Sequence, residues 1–261
     1  MESRFLTNEQ EAEIVTIIEQ SLNLAEQFWE QSGRKLIVES STESNQFVAD
    51  SIIPSNLPNH ETINTINSVN QEMIAIVVDM RNSTRHAKTQ VRDINPLKRI
   101  FFETYALLPA IDKTIQFENG RVTEYLGDGI LGFFALGSDS SDKDKVIHGV
   151  SKTAKRIIVD VRNLLNDAIQ KKLSLPESEK INLGIGLAYS QTIIHAIGLQ
   201  GKQHAKAFGS CVYDATKLSS GMNEIFVSEN LQAIWPESIR GRNKFKKVNQ
   251  NSITYYKLEF K

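Results

Sequence analysis

The sequence has almost no cysteine, no excess of charge of either sign and no long apolar run. Its 261 residues include one cysteine, Cys211, which excludes an intramolecular disulfide and fits the reducing cytoplasm. Its 30 basic and 31 acidic residues leave a formal net charge of -1, so composition gives no sign of a nucleic-acid partner. The N-terminal residues lack the apolar region of a signal peptide, and no apolar stretch is long enough to span a membrane. These absences predict a globular, cytoplasmic protein that binds neither nucleic acid nor membrane.

The apolar periodicity predicts where helices and strands lie. Residues Thr7–Gln10 form a capping box, and the helical spacing that follows predicts an N-terminal helix. Residues 38–71 are rich in Ser, Asn and Thr and predict an irregular connector, preceded by a short strand near 35–38. From Met73 onward, predicted strands and helices alternate: a strand at 73–79, a helix at 96–117, hairpin strands at 121–126 and 130–135, a helix at 142–172, strands at 181–188 and 192–197, a helix near 213–221, a strand near 224–227 and a hairpin at about 244–258.

This order of elements predicts a ferredoxin-like sheet. Right-handed crossovers make the first and second strands parallel and place the third strand between them. We therefore expect an α/β (α+β) fold with a mostly antiparallel central sheet, flanking helices and an N-terminal helical extension. The corresponding domain division is residues 1–70 for the helix and connector, and residues 71–261 for the main domain.

Two aspartates stand where short strands end. Asp79 ends the apolar strand that begins at Met73, and Asp128 lies between two glycines at the tip of the predicted hairpin. The predicted topology brings both to one edge of the sheet, although 49 positions separate them in sequence. Carboxylate oxygens suit Mg²⁺ or Mn²⁺, ions that also bind the phosphates of a substrate. Taken singly, Asp79 could equally be a helix cap, and Asp128 an ordinary turn residue.

The residues just after the first strand suit a phosphate group. They offer backbone N–H groups, two hydroxyls and a guanidinium immediately past the strand end. His86 follows closely and either neighbours the phosphate or faces solvent. Together with the two aspartates, the segment predicts a phosphoryl-transfer enzyme with a nucleoside triphosphate substrate. The segment is Asp79, Met80, Arg81, Asn82, Ser83 and Thr84.

Residues 79–84, residues 125–129, and residues 185–187 followed by 208–210 form three motifs in sequence order. These motifs resemble those of class III nucleotidyl cyclases. The resemblance runs from about Met73 to Val227, and the short N-terminal extension and the pocket residues are most similar to the pyrimidine cyclases of bacterial Pycsar anti-phage systems. That narrower resemblance implies a separate, cyclic-nucleotide-responsive effector as a partner.

The resemblance also implies a two-metal reaction in a head-to-tail homodimer. Asp79, Asp128 and the backbone carbonyl of Met80 would hold two Mn²⁺ or Mg²⁺ ions. The ribose 3′-hydroxyl would attack the α-phosphorus in line, and pyrophosphate would leave. The metal residues would come from one protomer and the base-reading residues from the other, so a monomer would be inactive.

Two side chains at the base-reading positions argue against adenine. By the resemblance these are Glu124, where adenylate cyclases carry Lys, and Lys206, where they carry Asp or Thr. A carboxylate accepts from a ring N–H and an ammonium donates to a carbonyl oxygen, which fits uracil and also fits guanine. Cytosine would be mismatched at both groups. We expect a uridylate cyclase with UTP as its substrate, and a guanylate or cytidylate cyclase is the alternative. In the other interpretation, Glu124 is a surface residue of the strand and Lys206 is solvated.

Two positions depart from the pattern of the family. Tyr213 stands where the family has a transition-state Asn, and Lys217 stands where it has Arg. Lysine keeps the positive charge but loses the bidentate fork, while tyrosine can donate a hydrogen bond or stack on the base. Arg81 or Arg85 could supply the missing guanidinium. These departures leave open a catalytically silent nucleotide-binding module.

Overall fold

The computed structural model describes residues 4–28, 52–65, 67–137, 139–199, 202–237, 243–250 and 253–260. The short strand predicted near residues 35–38 lies outside these ranges. The helices are α1 Asn8–Phe28, α2 Ser83–Lys88, α3 Pro96–Gln116, α4 Ser140–Arg156, which continues through a π-helical turn Ile157–Val161 into α5 Arg162–Leu173, then α6 Ser210–Leu218 and α7 Glu229–Ala233, with a 3₁₀ turn at Glu177–Glu179. The strands are β1 Ile52–Leu57, β2 His60–Asn64, β3 Val69–Arg81, β4 Arg121–Tyr125, β5 Gly129–Ala135, β6 Asn182–Ile197, β7 His204–Phe208, β8 Glu224–Ser228, β9 Lys244–Gln250 and β10 Ile253–Glu259.

Helix α1 begins at the predicted capping box. The Gln10 backbone N–H donates to the Thr7 hydroxyl, and the Thr7 backbone N–H donates to the Gln10 side-chain oxygen, both at 3.2 Å. The apolar stripe of the helix packs on α3 and joins the main core. The N-terminal helical extension is therefore confirmed. Its buried residues are Ile14, Ile18, Leu22 and Ala25.

The large sheet is built around β3. Its strand order is β4-β5-β3-β6-β8-β10-β9, and β7 pairs with β6 off this path. Strand β5 is antiparallel to both β3 and β4, so β3 and β4 are parallel to each other with β5 between them. Strands β6 and β8 run parallel, while the other pairings of this sheet are antiparallel. The predicted mixed α/β fold with a mostly antiparallel central sheet is confirmed.

Both faces of β3 are buried, as its nearly continuous apolar sequence predicts. Because side chains alternate along a strand, one row packs beneath the helices α1 and α3 to α5, and the other beneath the β1–β2 hairpin, β7 and α6. Asp79 continues the second row, so it lies on the face of the sheet that carries α6. The first row is Ile74, Ile76, Val78 and Met80, and the second is Met73, Ala75 and Val77.

Two expectations about the elements were wrong. The two strands expected at 181–188 and 192–197 are one strand, β6. The reason is that β3 extends back to Val69 and pairs with β6 without a break from Asn182 to Ile194. The connector expected to be irregular contains the β1–β2 hairpin, whose two-residue turn, Pro58–Asn59, has Asn59 in the left-handed region at φ 64°. Strand β7 and helices α2 and α7 were not predicted. The domain boundary at 70/71 stays a prediction; β3 begins two residues before it.

Helices and strands elsewhere match their predicted positions to within a few residues. The helix predicted at 142–172 is continuous from α4 through α5, with the π-helical turn in its middle. Among the described residues, no helix combines the length and the apolar composition that crossing a membrane requires.

Candidate active site

The sheet brings Asp79 and Asp128 to one edge. Asp79 pairs with Gly129 of β5 on one side and with Gly184 of β6 on the other. The backbone N–H of Met80 donates to the Asp128 carbonyl at 3.2 Å, which fixes the hairpin tip against the end of β3. The convergence expected from topology is therefore present in the structure.

The glycines on either side of Asp128 have separate structural reasons. Gly127 has φ +82°, a left-handed conformation that side chains with a Cβ rarely adopt. A Cβ on Gly129 would lie 2.5 Å from the carbonyl oxygen of Val78, so the two strands approach too closely for any other residue. The Gly-Asp-Gly sequence thus allows a tight tip pressed against β3, with Asp128 as its only carboxylate.

The two carboxylates repel each other. Burial raises the pKa of Asp79 above its usual value, and the negative charge of Asp128 raises it further. The Arg81 guanidinium, which forms an ion pair with Asp79, offsets part of this rise. The Asp79 side chain remains 31 % exposed, so it is accessible from the edge of the sheet. A cation placed between the carboxylates would relieve the repulsion.

The donor set at this edge fits a hard divalent ion. Asp79 and Asp128 supply carboxylate oxygens, and Mg²⁺ sites commonly use one or two carboxylates completed by water and substrate phosphates. The described residues contain no group of three or more His, Cys, Asp or Glu side chains that could form an all-protein metal cage. The arrangement therefore suits an ion that shares its coordination with a phosphorylated ligand better than a closed structural site.

The segment after Asp79 forms a tight turn into α2. Asn82 is left-handed at φ 61°, a conformation that Asn tolerates better than most residues, and its carbonyl accepts from the N–H groups of Arg85 and His86 at 2.9 and 3.2 Å. Ser83 and Thr84 form the first turn of α2, four and five residues after Asp79. The structure thus places the predicted phosphate-binding residues Arg81 to Thr84 beside the aspartate edge.

Glu124 and Lys206 form an ion pair. The Lys206 ammonium lies 2.7 Å from a carboxylate oxygen of Glu124, with side chains 36 % and 32 % exposed. The two residues are on β4 and β7, which belong to different parts of the sheet, and β1 contacts both of these strands. A donor and an acceptor therefore stand side by side at partly exposed positions, and their role in reading the base stays a prediction.

Tyr213 and Lys217 lie one helical turn apart on α6. Tyr213 is 72 % exposed, and Lys217 is also exposed. Lys217 lines a cavity of about 530 Å³ between α6, β8 and β10, to which neither Asp79 nor Asp128 contributes. Within the single chain, the structure does not bring these two residues into contact with the aspartate edge.

Sequence reasoning missed a cluster of buried charges next to the site. The Arg85 guanidinium contacts Glu179, at 2.8 Å, and not the aspartates. His86 is buried at 2 % exposure against Glu103, so the solvent-facing interpretation was wrong. Arg99 and Glu103, four residues apart on α3, complete the cluster. That spacing is typical of a helical ion pair and was the available signal, although it does not reveal burial.

The sequence matches no family model and no curated protein. Solved structures do match. The guanylyl cyclase Cya2 is 17 % identical, with a TM-score of 0.57 over 74 % of this chain and 94 % of that chain. The adenylyl cyclase CyaB from P. aeruginosa is 13 % identical, with a TM-score of 0.58 over 75 % and 97 %. The guanylate cyclase domain of RhGC from Catenaria anguillulae, in complex with GTP, is 17 % identical, with a TM-score of 0.54 over 75 % and 99 %.

At these identities the likeness is one of fold. It covers about three quarters of this chain and nearly the whole length of each of the three domains, so the complete catalytic-domain architecture is matched. The matched structures include both guanylyl and adenylyl cyclases, and the likeness therefore does not select a base. The described chain has the fold of a class III nucleotidyl cyclase domain.

Proposed function

We propose that the protein is a metal-dependent nucleotidyl cyclase that converts UTP to 3′,5′-cyclic UMP and pyrophosphate. The observation that carries the proposal is the convergence of Asp79 and Asp128 at one edge of a cyclase-fold sheet, with mutual repulsion that a cation would relieve. The choice of uridine depends on a second observation, the Glu124–Lys206 pair.

The aspartate edge would supply the metal site. Asp79, Asp128 and the Met80 carbonyl would hold two Mn²⁺ or Mg²⁺ ions, which would lower the pKa of the ribose 3′-hydroxyl and neutralise charge on the phosphates. The 3′-oxygen loses its proton and forms a bond to the α-phosphorus as the bond from that phosphorus to pyrophosphate breaks. Arg81 and the residues Asn82 to Thr84 would position the triphosphate.

The Glu124–Lys206 pair would read the base. The two charged atoms are 2.7 Å apart, close enough to face neighbouring atoms on one edge of a base. Glu124 accepts from N3–H of uracil while Lys206 donates to O4, whereas adenine presents an acceptor nitrogen beside an amino group. Cytosine is mismatched at both positions. Guanine, with N1–H and O6, satisfies the same pair, which makes guanylate cyclase the second candidate.

The exposed positions of Tyr213 and Lys217 support a site shared between two copies of the chain. Neither residue reaches the aspartates of its own chain, and both face outward on α6, so they would act on a triphosphate held by the partner in a head-to-tail homodimer. Lys217 would contact developing phosphate charge, and Tyr213 would donate a hydrogen bond or stack on the base. Guanylyl cyclase domains of RhoGC, which have a similar fold, are described in one structure as a non-canonical dimer and in another as monomeric.

Incubating the purified protein with each of the four nucleoside triphosphates and Mn²⁺ tests the proposal directly. We expect cyclic UMP and pyrophosphate from UTP at a rate at least about tenfold above the rates with ATP and CTP, a ratio equivalent to about 1.4 kcal/mol of discrimination. A higher rate with GTP than with UTP would favour guanylate cyclase. Product from ATP alone would refute the base assignment. Binding of a non-hydrolysable triphosphate without product from any nucleotide would favour the catalytically silent module.

A charge exchange provides the matched variant for the base assignment. The double variant Glu124→Lys, Lys206→Glu retains the ion pair but reverses donor and acceptor. We expect its preference to move from UTP towards CTP and ATP, whose bases both present an acceptor nitrogen beside an amino group, while each single variant loses activity with UTP. An unchanged preference in the double variant would show that these side chains do not read the base.

A role in anti-phage signalling is part of the proposal. The cyclic nucleotide would act as a second messenger for a separate effector that binds it. The support is the sequence resemblance to the pyrimidine cyclases of Pycsar systems. Infection of cells carrying the protein and its genomic neighbours tests this role, with Asp128→Asn as the inactive control; equal phage yields in both would argue against it.

A further inference from the structure

The turn that carries the phosphate-binding residues has little of its own to hold it in place. Helix α2 has only six residues, far fewer than an isolated helix needs to be stable in water. Asn82, at its start, makes no side-chain cap hydrogen bond. His86 is the one buried residue of α2, so the contacts of its imidazole connect this turn to the interior.

The partners of the His86 imidazole are charged side chains. His86 Nδ1 lies 2.8 Å from a carboxylate oxygen of Glu103, which is fully buried on α3. Arg99, also on α3 and 1 % exposed, donates from Nε to the other oxygen of Glu103 at 2.9 Å, and its Nη2 lies 3.0 Å from the same imidazole nitrogen. The inner side of α2 is thus fixed to α3 through a single arginine–glutamate pair.

Arg99 also reaches the segment that enters β6. Its Nη1 donates to Glu179 at 2.8 Å, and Glu179 accepts from Arg85 of α2 at 2.8 and 3.3 Å. Glu179 ends the 3₁₀ turn just before β6, and β6 pairs with β3 at Asp79 and Arg81. One guanidinium therefore joins α2, α3 and the 3₁₀ turn that precedes β6.

We propose that Arg99 is a positioning residue for the triphosphate, which it never touches, because it holds the turn Asn82–Thr84 at a fixed distance from Asp79. The inference rests on the proposed function. A planar guanidinium with several donors in fixed directions can donate to Glu103 and Glu179 at once while it lies beside the His86 imidazole, whereas an ammonium on a flexible stem cannot hold the same geometry. The cluster pairs two arginines with two glutamates, and such buried charge networks favour a unique arrangement over stability alone.

The conservative variant Arg99→Lys tests this, with Arg156→Lys as a matched control. Arg156 is another buried arginine in an ion pair, at 2.7 Å from Glu118, but it anchors the N-terminal segment and not α2. Both variants keep the charge and lose one buried guanidinium. A purely structural role predicts equal effects of the two on nucleotide binding.

We expect Arg99→Lys to raise KM for the triphosphate about tenfold with a much smaller change in kcat, because the misplaced turn contacts the phosphates in the ground state and the transition state alike. Its affinity for a non-hydrolysable triphosphate with Mn²⁺ should fall by the same factor, and Arg156→Lys should leave both values within twofold. Wild-type KM in Arg99→Lys, or an equal rise in both variants, would overturn the inference.

Hydrogen exchange separates this inference from the proposed function. The amides of residues 83–88 should exchange at least about tenfold faster in Arg99→Lys than in the wild type or in Arg156→Lys, with or without nucleotide. If the wild-type protein neither converts nor binds a triphosphate, the proposed function fails. The hydrogen-exchange measurement still decides whether Arg99 holds α2 in place. Unchanged exchange in Arg99→Lys refutes the positioning role whatever the activity.

Discussion

Two charged clusters lie on either side of the turn after β3, and they are in opposite electrostatic states. At the aspartate edge, two carboxylates converge, and burial together with the Asp128 charge raises the pKa of Asp79. In the arginine cluster behind α2, burial alone would raise the pKa of Glu179, but the hydrogen bonds and charges of Arg99 and Arg85 outweigh it and lower that pKa. The aspartate edge is therefore the strained cluster, because its two carboxylates repel each other. The arginine cluster is the satisfied cluster, because its glutamates are paired with arginines.

The difference indicates that the two clusters have different roles. A carboxylate with a raised pKa in an accessible place is typical of a functional site, whereas paired buried charges fix a conformation. The protein thus keeps its uncompensated charge where a cation and a triphosphate can approach, and neutralises the charges that hold the adjoining turn.

Removing one carboxylate from the strained cluster should have the largest effect on activity. We expect Asp79→Asn or Asp128→Asn to reduce turnover by about 1,000-fold or more, because one ligand of the proposed metal site is lost. The thermal midpoint without metal should stay the same or rise, since the repulsion between the carboxylates disappears. Cyclic nucleotide formation and thermal unfolding measure the two effects. The exposed Asp144→Asn should change neither, and wild-type rates in either site variant would remove the metal role.

Removing one carboxylate from the satisfied cluster should do the reverse and reduce stability. Glu103→Gln leaves Arg99 buried beside a neutral partner, and we expect the free energy of unfolding to fall by roughly 3 kcal/mol. Urea denaturation measures the change. Glu26→Gln is the control, because it breaks the exposed ion pair with Lys172 and should shift the urea midpoint far less. Equal midpoint shifts in the two variants would mean that burial does not strengthen the cluster.

The smallest expected effect is in the pH dependence of stability, and it has opposite signs in the two clusters. The raised pKa of Asp79 means that its contribution favours folding in acid and is lost as pH rises through the raised value. The lowered pKa of Glu179 means that its contribution is present above the ordinary glutamate value and is lost as pH falls through the lowered value.

In metal-free buffer, Asp79→Asn should therefore be more stable than the wild type near neutral pH, and the difference should disappear in acid. Glu179→Gln should be less stable than the wild type near neutral pH, and that difference should also disappear in acid. Denaturant unfolding of the three proteins between about pH 3 and pH 7 measures both curves. Differences of the same sign at neutral pH would contradict the contrast between the clusters.

Local pattern predicted much of the fold. The apolar run before Asp79 predicted a central strand, and the long periodic segments predicted α3 and the α4–α5 helix close to their observed positions. The division of β6 into two strands failed because Tyr189, Ser190 and Gln191 interrupt the apolar pattern in the sequence. These residues belong to the strand since β3 pairs with each of them.

The candidate site could be predicted where it depends on strand ends, and not where it depends on side chains from distant segments. Asp79 and Asp128 lie at a strand end and a hairpin tip, so topology alone predicts that they meet. The Arg99 cluster joins α2, α3 and the start of β6, and no spacing in the sequence relates Glu179 to His86. Contacts of that kind depend on how elements pack, which local pattern does not encode.

The sequence by itself determined the strand and helix order, and with it the shared edge at which Asp79 and Asp128 lie, because strand direction fixes which ends meet. It also placed a donor and an acceptor at Glu124 and Lys206. Only the tertiary structure decided that these two side chains pair, that His86 is buried and that Arg99 contacts Glu103, His86 and Glu179. Those features depend on the burial of charge among packed elements, where the loss of water makes each ionic partner matter.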